Sequence, residues 1–302
     1  MKKALLLPLA AAAALLVPAL LRAQDPAPAI PDDPRLAAAQ KIVDGLHFQQ
    51  GEVKLGDGFA RVQVPDDFRF LGPDDAQTVL TKLWGNPPAK EKPLGLLMPA
   101  GVSPLSRLSW AVIVTYDNDG YVKDGDANKI DYAKMLAGMQ KGTRGANPER
   151  TKQGYPTIEL VGWAEPPRYD AESHKLYWAK EIKFGDAPGE NTLNYNIRVL
   201  GRKGVLILNA VAGMSQLPDV EKATPAILGM VDFTDGNRYA DYKPGADKVA
   251  TYGLAALVAG GIAAKLGLFK GLLALLAVGW KFVAAGVVAA GAWLKKVLGR
   301  KT

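Results

Sequence analysis

The chain has 302 residues, no cysteine and two histidines, with a formal net charge of +7. The missing cysteines exclude disulfides, thiolate metal sites and Cys nucleophiles, and His47 and His174 limit a His-based metal site to two such ligands. The charge does not point to nucleic acid: all 30 acids lie between Asp25 and Asp247, where 26 Lys or Arg leave a net of −4, so the positive excess belongs to the two hydrophobic ends.

Met1 to Ala23 has a Lys2-Lys3 head, an apolar run from Ala4 to Leu21 and small residues at Ala19 and Ala23. That is the pattern of a secretory signal. An uncleaved anchor is the alternative, because the 18 apolar residues are at the lower limit for a span. Residues 24–35, rich in Pro, Ala and Asp, read as a linker.

Residues 36–247 read as one extracytoplasmic domain. Leu36 to Leu46 is a short helix candidate. Gly51 to Leu55 and Phe59 to Val64 are strands joined by the Gly56-Asp57-Gly58 turn. Ala76, Val79, Leu80, Leu83 and Trp84 recur at helical spacing from Asp74 to Trp84. In Arg107 to Tyr116, Leu108, Trp110, Val112, Val114 and Tyr116 alternate with Arg107, Ser109 and Thr115, which predicts a half-buried strand. Asp131 is placed to cap a helix over Tyr132 to Gln140. Strands follow at Thr157 to Trp163, Lys175 to Phe184, Leu193 to Leu200 and Val205 to Val211, the last two joined by Gly201-Arg202-Lys203-Gly204. A helix near Pro218 to Val231 is expected to break or bend at Pro225. Asp232 to Tyr242 is extended. The expected fold is α+β, a largely antiparallel sheet with a few helices on one face. The element order resembles the secreted α+β domains of the photosystem oxygen-evolving-protein type.

Residues 248–302 contain no Asp or Glu. Val249 to Leu294, as one helix, would run about 69 Å, more than twice the hydrocarbon core. A membrane anchor over 248–294 in two helical segments, broken near 267–271, is therefore expected, followed by a basic tail at 295–302. A single span and a two-span hairpin both remain open. Tyr252, Lys265, Lys270, Lys281, Trp293, Lys295 and Lys296 are the expected anchor and interface residues. Ala256, Gly260 and Ala264 place small residues one turn apart, which suits helix packing or self-association.

Four segments together carry a family resemblance: Gly162-Trp163-Ala164-Glu165-Pro166-Pro167-Arg168-Tyr169-Asp170, His174 to Ala179, Leu193 to Arg202, and Tyr252 to Leu257. They resemble the bacterial membrane-anchored proteins of domain-of-unknown-function family 2167, over about Gly51 to Arg300. The resemblance implies an exported domain with a C-terminal membrane anchor and assigns no activity.

Candidate chemistry is sparse. Asp117, Asp119, Asp124 and Asp126 form an acidic stretch that suggests a calcium loop, but the EF-hand spacing fails. Counted from Asp117, position five is Tyr121 and the glycine falls at position four. A solvated turn is the simpler reading. Asp170 and His174 are placed to approach in a turn as an acid/base pair, without a matching nucleophile motif. Asn194, Asn196 and Arg198 share one strand face, with Glu159 facing Arg198 as a candidate partner. With Glu165, Tyr169 and Trp178 they are the candidate ligand-binding residues, against the simpler reading of a solvated sheet face and packed aromatics. No phosphate loop or dinucleotide fingerprint suggests a cofactor. The reading is a membrane-anchored, periplasmic interaction module whose partners are membrane lipid and protein. The alternatives are an envelope hydrolase using Asp170 and His174, and a small oligomeric pore.

Overall fold

The alternation of apolar residues in the second half of the domain drives a long antiparallel ladder. In a computed structural model, residues 34–86, 91–106, 109–185 and 189–259 are described. The expected signal, the linker up to residue 33 and the anchor from residue 260 lie outside them. So do Lys265, Lys270, Lys281, Trp293, Lys295 and Lys296. Among the described residues, no helix is long and apolar enough to cross a membrane.

The elements run α1 (Pro34–Asp44), β1 (Phe48–Gln49), β2 (Gly51–Leu55), β3 (Ala60–Val64), β4 (Phe68–Leu71), α2 (Pro73–Thr78, continued by a π turn Val79–Leu83), β5 (Gly95–Pro99) and β6 (Ala111–Asp117). Then come β7 (Tyr121–Lys123), α3 (Tyr132–Lys152), β8 (Ile158–Asp170), β9 (Lys175–Phe184), β10 (Thr192–Leu200) and β11 (Val205–Gly213). Last are α4 (Leu217–Met230), β12 (Val231–Phe233), β13 (Val249–Gly253) and α5 (Leu254–Ala259). Eight strands form an antiparallel sheet in the order β1-β4-β5-β6-β11-β10-β9-β8, and β12-β3-β2 form a second, small sheet. The fold is α+β.

Both faces of the large sheet are covered, not one. On the first face Trp110, Val112, Val114, Leu193, Tyr195, Ile197, Leu206 and Leu208 pack with Val220, Ile227 and Met230 of α4 and with Val62 of the small sheet. On the second face Ala111 joins Leu71, Leu96, Ala76, Val79 and Leu80 beneath α2. At the other end, Ile158, Leu160 and Ile182 lie under Leu136 and Met139 of α3. Strand β6 alternates in burial from Val112 to Thr115, as expected of a half-buried strand, and on the second face Ala111 is buried while Ile113 and Thr115 are partly so. Two helices run on past an expected break or end. α4 continues through Pro225, which is exposed one turn after exposed Glu221, so the carbonyl left without a donor is on the solvent side. α3 continues past Gln140 because its side chains bind the edge strand. Gln140 Nε2 donates to the Leu160 and Val161 carbonyls at 3.2 and 3.1 Å, and Asn147 exchanges two bonds with Ile158. That covers an edge that would otherwise invite pairing. Asp131 Oδ1 accepts from Lys134 N at 2.9 Å, the expected cap. β8 itself runs on to Asp170 through Pro166 and Pro167, tolerated because it is an edge strand with bulges there.

The domain does not stop at residue 247. β13 pairs in parallel with β7, and Leu254, Leu257 and Val258 are buried against Val122, Leu176 and Leu200. The first eleven residues of the expected membrane segment are thus a strand and a docked helix. Tyr252 lies on this strand. Gly120 makes the pairing possible. It adopts φ +115°, and a Cβ there would lie 2.6 Å from the Lys248 carbonyl oxygen. Asp126 receives the Leu254 and Ala255 N–H groups at 3.2 and 3.3 Å, capping α5. Asp126→Ala is expected to cost about 1 kcal/mol and to speed hydrogen exchange in residues 254–259. Unchanged exchange there would remove this role.

Candidate functional site

The cross-strand register sets the site. On the second face of the sheet, Trp163, Lys180, Asn194 and Val211 form one row across β8, β9, β10 and β11. Trp178, Asn196, Asn209 and Ile113 form the next, and Leu176, Arg198, Ile207 and Thr115 the third. Residues directly opposite in an antiparallel pair share a face, so these side chains converge on one patch. α2 packs on β4 and β5 at one end of this face and α3 on β8 at the other, and between them Leu176 and Trp178 meet Tyr239, Leu254 and Leu257.

This patch is buried and polar at once. Trp178 is 1% exposed, Asn194 and Asn196 3%, and Asn209 8%. Asn196 Nδ2 donates to Asn194 Oδ1 at 3.0 Å. Arg198 donates to the Ile197 carbonyl at 3.0 Å and leans back over the central row. Its guanidinium carbon is 4.9 Å from the Trp178 ring centroid, and Nη2 reaches Asn196 Oδ1 at 3.4 Å. In this patch three buried polar atoms have no partner among the described residues: Asn194 Nδ2, Trp178 Nε1 and Asn209 Oδ1. Such orphans are uncommon in native proteins and need an explanation.

Two cations share the patch. Lys180 lies on the same side of β9 as Leu176, Trp178 and Ile182, a charge where the strand pattern wants a hydrophobe. Among the described residues, neither Lys180 nor Arg198 forms an ion pair with a carboxylate. Burial, with repulsion from Arg198, holds the Lys180 ammonium down at about 8. Burial also lowers Arg198, partly offset by Asp117. Glu159 does not supply the missing acid. It pairs with Lys183 across β8 and β9, on an exposed position.

The expected site residues separate into three places. Trp178, Asn194 and Arg198 come together in the patch. Glu165 does not join them: it accepts the hydroxyl of Tyr195 at 2.6 Å, and Tyr195 packs on the opposite face. Tyr169 lies at the β8–β9 hairpin end, where its hydroxyl donates to Asp124 Oδ2 at 2.7 Å and lies 3.2 Å from His174 Nδ1. Lys180 and Asn209 were missed by sequence reasoning. The signal for Lys180 was present in the Leu176, Trp178, Ile182 alternation.

The Asp170–His174 pair does not form. Asp170 is exposed and bound within its own turn, accepting from Ser173 Oγ at 2.6 Å and Glu172 N at 2.9 Å, contacts that lower its pKa. His174 has the left-handed φ of 52° and turns the other way. Its Nδ1 lies 3.7 Å from Asp124 Oδ2, and its ring lies 4.1 Å from that of Tyr239. Tyr121 stacks between Tyr239 and Tyr242 at 4.4 and 3.9 Å. Burial first, then Asp124, raises the Tyr169 pKa, so its hydroxyl keeps its proton and donates. This network ties the hairpin end to the loop before β13.

The four acids of the candidate calcium loop serve different contacts. Asp117 Oδ1 accepts from Asp119 N at 3.1 Å, Asp124 holds Tyr169, and Asp126 caps α5. Asp119, with Asp117, helps raise the buried Tyr252 hydroxyl. Among the described residues, no three His, Cys, Asp or Glu gather to hold a metal ion.

No curated protein matches the chain. Among solved structures, cyanobacterial PsbP from Synechocystis is 9% identical, covering 62% of this chain and 92% of its own, with a TM-score of 0.33. LpqN of Mycobacterium tuberculosis, described as involved in cell envelope biogenesis, is 16% identical, covering 65% and 96%, with a TM-score of 0.29. The Saccharomyces cerevisiae Ran-binding protein Mog1p is 9% identical, covering 63% and 97%, with a TM-score of 0.31. The sequence profile described as "Protein of unknown function (DUF2167)" matches residues 47–291, and the chain belongs to that family.

Proposed function

We propose that the protein is a membrane-anchored binding module of the cell envelope, with its ligand seated on the β9–β10–β11 patch. The observation that carries this reading is the set of buried orphans, Asn194 Nδ2, Trp178 Nε1 and Asn209 Oδ1, gathered on one face. A ligand that satisfied them would recover the desolvation cost of each, about 1–3 kcal/mol. The signal-like residues 1–23 and the acid-free apolar stretch after residue 259 support export and anchoring. The docked α5 supports a domain held close to the bilayer rather than on a loose tether.

The test is thermal unfolding of the full chain in detergent against panels of neutral sugars, amino acids and small oxyanions. At least one class should raise Tm by several degrees at saturating concentration. Asn194→Leu should abolish the shift while remaining folded. If no class shifts Tm, or if Asn194→Leu shifts as the parent does, this reading is wrong.

A further inference from the structure

The patch also specifies what kind of ligand it takes. We infer that it binds a small oxyanion, a carboxylate or phosphate group, held over the Trp178–Asn196–Asn209 row between Lys180 and Arg198. This rests on the reading of the patch as a ligand site and adds the chemical class.

The geometry argues it. Lys180 is opposite Asn194 on β9 and β10, and Arg198 lies four residues further along β10. The two backbones are therefore about 13 Å apart along the strand, and the central row lies between them. Arg198 already leans inward, over the Trp178 ring and onto Asn196. The Lys180 ammonium makes no hydrogen bond or ion pair among the described residues. An oxyanion over the central row would accept from an ammonium, a guanidinium, Asn194 Nδ2 and the Trp178 indole N–H. Asn209 can present either end of its amide.

Charge selects the ligand. Two half-buried cations share this face, and Asp117, at the end of β6, is the acid that acts on Arg198. A neutral sugar would leave the Lys180 charge uncompensated and Arg198 balanced only by Asp117, and a cationic ligand would add to the repulsion. Arg supplies planar two-point recognition of carboxylate or phosphate, and Lys a point charge. The depressed Lys180 pKa agrees, since an arriving anion favours the charged form.

The experiment is calorimetric titration of the full chain in detergent with inorganic phosphate, acetate, glucose and choline. Phosphate or acetate should bind, glucose and choline should not, and affinity should fall as salt is raised. Lys180→Met should weaken the anion at least tenfold, and Arg198→Lys, which keeps the charge but loses the fork, should weaken it by less. Binding of glucose without either anion would overturn the assignment and leave the binding-module reading intact. No binding by any probe would overturn both. Anion binding that is unchanged in Lys180→Met would move the site elsewhere and end this inference. Dihexanoyl phosphatidylglycerol binding more tightly than inorganic phosphate would identify a lipid headgroup as the source, and weaker or equal binding a solute; in either case the loss in Lys180→Met is required.

Discussion

Trp178→Ala should cost the domain about 3–5 kcal/mol. The indole is 1% exposed and packs with Leu176, Leu200, Val205, Tyr239, Leu254 and Leu257. It therefore belongs to the core cluster that ties β9, β10 and β11 to α5, and it is also the floor of the proposed site. Truncation removes transfer free energy, leaves a cavity and deprives Arg198 of the ring beneath it. Urea unfolding followed by far-UV circular dichroism gives the number. A loss below about 1 kcal/mol would mean that the indole is not packed in that cluster. Hydrogen exchange should also quicken in residues 249–259, because α5 loses part of the surface on which it docks.

Lys180→Met should do the opposite and stabilise the ligand-free protein by about 1–2 kcal/mol at neutral pH. The lysine is a charge held at an apolar position of β9, beside Arg198 and without an acid partner among the described residues. Its folded pKa of about 8 lies below the unfolded 10.5, so the folded state disfavours the charged form. Below pH 8 both states carry the proton and the full penalty applies. Between pH 8 and 10.5 the folded protein has released it while the unfolded chain has not, so parental stability rises with pH. The advantage of Met should therefore be largest below pH 8 and shrink through that window. A stability gain paired with lost anion binding is the signature of a residue kept for its ligand. A stability loss at neutral pH would show that Lys180 has a structural partner after all.

Much of the ladder was legible in the sequence, because β10 alternates cleanly and the Gly201-Arg202-Lys203-Gly204 turn joins it to the apolar run of β11. The covering of both sheet faces was not. Ala111 of β6, on the face opposite Val112 and Val114, meets the cluster beneath α2, and a single apolar residue on the second face does not announce a covering helix. The stretch Val249 to Ala259 failed for a related reason. Apolar composition alone does not separate a buried strand and helix from the start of a membrane segment. The His174 partner was out of reach of local reasoning: Asp170 is four residues away, whereas Asp124 comes from a different strand connection fifty residues earlier. Asn194, Asn196 and Arg198 were placed on one face, yet polar residues ordinarily mark the wet side of a sheet. Only the register with Trp178 and Asn209, and the helical layers at either end, make that face a buried one.

The most direct measurement is the side-chain titration of Lys180, followed by NMR of selectively labelled lysine in the full chain, with and without inorganic phosphate. Without phosphate the ammonium should titrate near 8, and saturating phosphate should move it up by a unit or more. A Lys180 that titrates near its ordinary value, or one that ignores phosphate, would contradict an oxyanion site on this sheet.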